Sequence, residues 1–369
     1  MIALGPADPC VHTLLALLAD PHHVLSIGLP EWDKTIRLAR QGRLLGVLAQ
    51  RIQSHDELRS AVPECVLGHL RSATVYSAHR GHLLRMELTA LAKALPPELP
   101  VVVLKGAAYM LQKLDLARGR LPSDVDLMVA HSDLDPAEAA LRNAGWEFEE
   151  IDAYTERYYR QWSHELPPLR VPGHPLEVDL HHTITPVTGR LKPDTTLLFA
   201  DLQALPGERF LVLHPLDQIL HAVVHLFQDS DLQAHLRDLV DIDGLLRAHV
   251  HSHDDWQALA ARAVQHRVER PLWYALRYCR AWLTTPVPED LPLATPPAAV
   301  IRLFDWVFPR CTLPRIPDQP AGISRRTAAR LGSLRHQWLR LPPGLLVRQI
   351  AHKSMRAWRA RITLRQQSE

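Results

Sequence analysis

The sequence predicts an α+β fold, a small mixed β-sheet core flanked by N-terminal and C-terminal helical regions. Three observations predict it. Apolar residues recur at helical spacing up to about Leu95, two later segments alternate acidic and apolar residues, and helical spacing returns from Pro215 onward.

In the N-terminal region, 11–18 is a short apolar stretch, and 32–52 and 67–95 space leucine and isoleucine among Arg and Gln until Pro96 and Pro97 stop them. Val101-Val102-Val103-Leu104 then reads as a buried strand. Lys105-Gly106 opens a short helix expected over 107–114, and a charged loop with Arg118 and Arg120 leads to the strand 123–129. A helix is expected at 135–143, with strands at 146–151, 158–163, 168–171 and 176–182. Further helices are expected at 216–227, 232–250, 255–266 and 271–283. The stretch 286–297 is a proline-rich connector, and after Ala298 helical pieces are broken by Pro309, Pro314, Pro317, Pro320, Pro342 and Pro343. The expected units are 1–97, 98–212, 213–285 and 286–369.

Bulk properties exclude several classes. At 369 residues and 47% apolar, the chain suits two or three ordinary globular units. Cys10, Cys65, Cys279 and Cys311 are scattered with no CxxC pair, so no zinc ribbon or redox motif is present. The first residues lack a basic segment ahead of an apolar one, and no apolar run is long enough to span a membrane. A cytoplasmic location is expected. The formal charge is only +2, yet from Ala321 to Glu369 eleven Lys or Arg stand against one acid. That tail suits an anionic partner.

The chemistry concentrates in Ser123-Asp124-Val125-Asp126 and in Glu177-Val178-Asp179-Leu180-His181. Acids at i and i+2 on a strand project from one face, where bare carboxylates repel unless a cation joins them. Magnesium, or manganese in its place, takes such oxygen ligands together with substrate phosphates. A lone D-x-D is more often a solvated strand edge. Here an apolar strand ending in Lys105-Gly106 precedes it, and a third acid, Asp179, stands on a later strand. Gly106 would let the backbone approach a polyphosphate, with Lys105 or Arg120 adding positive charge.

The ordered set Val101 to Gly106, Arg120, Ser123 to Val129 and Glu177 to His181 resembles the DNA polymerase beta-like nucleotidyltransferase superfamily. It is most similar to the Lys-Gly branch of uncharacterised nucleotidyltransferases, over roughly 98–185. The resemblance implies catalytic, metal-binding roles for Asp124, Asp126 and Asp179, and nucleotide contacts from Lys105, Gly106, Arg120 and Ser123. It implies transfer of an NMP from an NTP to a hydroxyl-bearing acceptor, with release of pyrophosphate. Ala107 stands where the superfamily often has a serine. The acceptor is open between a small molecule and, as in toxin systems, tRNA or protein. An inactive scaffold that keeps the fold is the alternative.

His221 and His225, four apart with His235 nearby, have the spacing of a zinc pair but lack the HExxH glutamate, and 22 histidines make chance pairs common. His181 or His182 is placed to orient Asp179 or to meet substrate. Asp238, Asp241 and Asp243 read as a solvated helix face, as helix salt bridges or as acids reaching the site. Trp338 and Trp358 among arginines suit RNA, an anionic surface or an ordinary docking helix.

Overall fold

Alternation decides the sheet. Val125, Leu127, Val178 and Leu180 are fully buried on one face, which turns the acids between them to the other. The structure, a computed structural model, describes residues 9–149 and 151–348. Its strands are β1 (Val102–Val103), β2 (Asp124–Met128), β3 (Glu147–Phe148), β4 (Leu169–Arg170), β5 (Glu177–His181), β6 (Gln203–Ala204) and β7 (Leu211–Val212). They form one mixed sheet in the order β3-β4-β5-β2-β1-β7-β6. In it β2 runs antiparallel to β1 and parallel to β5, and β1 runs parallel to β7. The α+β class with helical flanks therefore holds. The β6–β7 hairpin, turning through Gly207 at φ +76°, was not expected.

Two expectations fail for physical reasons. Residues 158–163 are not a strand: 158–162 belong to the helix Ala153–Trp162, started by Asp152 accepting from the Thr155 amide, and Ser163 ends it. The β-prone tyrosines there follow helical spacing, with Tyr154 and Tyr158 both packing against Trp162. Pro309 does not break the chain but sits inside the helix Ala298–Thr312. An interior proline costs about 3 kcal/mol. Burying Phe304, Phe308 and Cys311 beside it gives back about 1.5–3 kcal/mol for each large side chain.

The N-terminal flank comprises the helices Pro9–Ala19, Leu29–Gln41, Leu45–Gln53, Asp56–Ala61 and the 31-residue Glu64–Ala94. The later flank contains Pro215–Val224, Leu236–His249, His253–Gln265, Glu269–Leu283, Ala298–Thr312 and Ile323–Arg340. One apolar cluster joins both flanks to the sheet, from Cys10 to Ala328. No described helix is long and apolar enough to cross a membrane. In the basic C-terminal region, Arg340 lies over Tyr158 and Arg335 over Phe304, so these cations meet rings of their own chain. Trp358 and the arginines around it lie outside the described residues.

The N-terminal helices grip the loop that leads into β2. A side chain at Gly46 would come 2.2 Å from the Gly119 carbonyl oxygen, and Gly119 itself has φ +76°. Backbone cannot swing aside as a side chain can. Gly46→Ala is therefore expected to cost about 3 kcal/mol. It should lower the urea midpoint accordingly, and an unchanged midpoint would refute the contact. Arg80 donates to the Pro122 carbonyl (2.8 and 3.1 Å), while Arg43 and Arg237 donate to that of Leu121 (3.3 and 3.4 Å).

Candidate active site

The parallel register of β2 and β5 pairs Asp126 with Asp179 and Asp124 with Glu177. Paired positions on neighbouring strands lie about 4.8 Å apart and share a face. Asp124, Asp126 and Asp179 are thus brought to one side of the sheet. Glu177, at the near end, is held by Arg170.

Asp126 is the buried centre, 3% exposed. Its Oδ1 accepts from Lys105 Nζ at 2.8 Å and lies 3.1 Å from His181 Nε2. Burial opposes its charge, but Lys105 and His181 outweigh burial and hold the carboxyl well below its usual range. Burial likewise opposes the Lys105 charge, and Asp126 and Asp124 restore it, leaving the ammonium firmly protonated. Lys105 reaches Asp126 from the first residue of the helix Lys105–Leu111, where its φ of +46° bends the chain back from β1. Ser123 Oγ donates to Asp124 Oδ1 at 3.1 Å.

Asp179 behaves in the opposite way. Burial, then Asp126, Glu165 and Asp124, push its carboxyl up to about 8 against the pull of Lys105. Of the Asp126–Asp179 pair one is ionised and the other keeps its proton. Buried oxygens with too little positive charge among them fit a hard divalent cation, which would restore the charge on Asp179. As the side chains stand, the three aspartates do not bring their oxygens all within 4.8 Å of one another. Among the described residues, the group that closes to that distance is His164, Glu165 and His181.

Gly106 and Arg120 meet each other. A Cβ on Gly106 would lie 2.0 Å from Arg120 Nη1. That guanidinium donates from Nε to Asp241 Oδ2 at 2.9 Å and lies over the Tyr109 ring. The glycine makes room for a buried cation whose charge Asp241 takes up. The helix also begins at Lys105 rather than at Ala107, so Gly106 lies within its first turn.

Other residues fall differently from expectation. Asp238, Asp241 and Asp243 form no solvated face. All three are buried, on His235 and Arg237, on Arg120, and on Arg247 and Thr285 respectively. His225 faces Asp238, whereas burial, then Lys105 and His225, push His221 far below its usual range and keep it neutral. Glu165 and His164 were missed. They arrive through an isolated bridge that pairs Glu165 with His181, and no local pattern marks them.

A family model described as uncharacterised nucleotidyltransferase matches residues 29–284. Neither the comparison with curated proteins nor that with solved structures gives a match.

Proposed function

The chain belongs to the uncharacterised nucleotidyltransferase family, and from that membership we propose a metal-dependent enzyme of the DNA polymerase beta-like type. In this reading it transfers an NMP from an NTP to a hydroxyl-bearing acceptor and releases pyrophosphate. The observation that carries the reading is the register that sets Asp126 beside Asp179, with Asp124 two residues along the same face. A magnesium or manganese ion held by Asp124, Asp126 and Asp179 would supply the charge that steadies a triphosphate and its leaving pyrophosphate. Lys105 keeps Asp126 ionised. Ser123 orients Asp124. Asp179, on the neighbouring strand, would share the metal and through it help lower the pKa of the acceptor hydroxyl.

The test uses labelled nucleoside triphosphates, magnesium and a cell extract as the source of acceptor. Wild-type protein should release pyrophosphate only when magnesium is present. Asp124→Asn should lower the rate about 10²- to 10³-fold. Asp124 is the right choice because it is half-buried and accepts a hydrogen bond from the neighbouring Ser123. Removing Asp126 would strand the half-buried Lys105 cation and so confound activity with stability. Nucleotide binding without pyrophosphate release, unchanged in Asp124→Asn, would establish a scaffold instead.

A further inference from the structure

We propose that His164, Glu165 and His181 form a second cation site, selective for a borderline transition ion of the zinc type and distinct from the magnesium site proposed on the aspartates. His164 is 4% and His181 2% exposed, while the Glu165 side chain keeps 23% of its surface as an entry edge. Glu165 Oε2 lies 3.5 Å from His164 Nε2 and 3.6 Å from His181 Nε2. Ligands about 2.0–2.1 Å from a tetrahedral zinc ion stand roughly 3.3–3.4 Å from one another. The trio is therefore spaced for such an ion with only small side-chain movement. Asp126 Oδ1, 3.1 Å from His181 Nε2, accepts from Lys105 and lies outside the trio, so the fourth vertex would fall to water.

The donor set decides the metal. Two imidazole nitrogens and a carboxylate suit zinc, cobalt or manganese, whereas magnesium demands oxygen and keeps its waters. The backbone fixes the geometry, because Leu166 donates to the Leu180 carbonyl and His182 to that of His164. On binding, His181 Nε2 gives its lone pair to the ion and its proton leaves Asp126, either for Nδ1 or for solvent. No hydrogen-bond partner for the buried His181 Nδ1 is present among the described residues. Lack of such an acceptor typically costs 10- to 100-fold in affinity. The ion is accordingly exchangeable rather than structural.

The experiment titrates the metal-free full chain with Co²⁺, whose visible absorption reports nitrogen ligands, and then with Zn²⁺. The expected result is a band that saturates at one Co²⁺ per chain, is abolished by Zn²⁺ and survives excess Mg²⁺. Glu165→Gln and His164→Gln should each weaken binding by about 100-fold, and Asp124→Asn with Asp179→Asn should leave it in place. Glu165→Gln, at a partly open position, carries the test should His164→Gln misfold. An absent band, a band equal in wild type and Glu165→Gln, or a band lost with the two aspartates overturns the site. None of these outcomes depends on nucleotide transfer, so the catalytic reading stands or falls separately.

Discussion

Asp179→Asn is expected to give a protein that melts higher than wild type and transfers nucleotide far more slowly. Asp179 in the folded chain titrates near 8, against an ordinary value of 3.8, because burial comes first and three further acids face it with only Lys105 opposing. Between those values the folded chain binds more protons than the unfolded one. The contribution of this group to stability is therefore complete below about pH 4 and is lost as pH rises toward 8. One unit of displacement corresponds to about 1.4 kcal/mol, and the surrounding carboxylates relax in part. The asparagine variant should then gain on the order of 2–3 kcal/mol at pH 8 and almost nothing at pH 4. Calorimetric melts at the two pH values check this, and a variant no more stable than wild type at pH 8 would show that the acids are not crowded. Magnesium binding to wild type should tighten as pH rises to about 8 and release a proton below it, because the carboxyl must ionise to bind. Asp179→Asn should lose both effects, and transfer should fall about 10³-fold.

The second large effect belongs to Gly106→Ala, which is expected to cost about 3 kcal/mol by unseating the Arg120–Asp241 pair. A guanidinium at the surface would swing away from the new methyl group at little cost. Arg120 has no such freedom, since its side chain is 9% exposed, held at 2.9 Å by Asp241 and laid over Tyr109. In an Arg120→Met, Asp241→Asn background the same substitution should cost less than about 1 kcal/mol, and the difference is the coupling between the sites. Urea unfolding of the four proteins measures it. Equal costs in both backgrounds would remove Arg120 as the reason for the glycine. Weakened nucleotide binding at unchanged stability would assign Gly106 to a polyphosphate.

What the sequence made legible follows from how local each signal is. The acids of β2 and β5 were readable because alternation is a property of five adjacent residues, and burial of Val125, Leu127, Val178 and Leu180 enforces it. The partner of Arg120 was not readable, because Asp241 lies 121 residues further on. A cation near a glycine and two acids looks like a phosphate ligand until that partner is seen. Glu165 and His221 reach the acids only through tertiary packing. The helix Ala153–Trp162 was mistaken for a strand since two adjacent tyrosines favour β structure, and the ring spacing that overrides them extends a full turn to either side.

The arginine clasp on the loop before β2 has a consequence for biosynthesis. Arg43 and Arg80 are made before that loop, whereas Arg237 and Asp241 are made long after Asp179. A nascent polypeptide halted between 180 and 236 already carries all three aspartates. It has no counter-ion for Arg120 and lacks one of the two donors to the Leu121 carbonyl. The clasp is thus completed only late in translation, once Arg237 and Asp241 have been made.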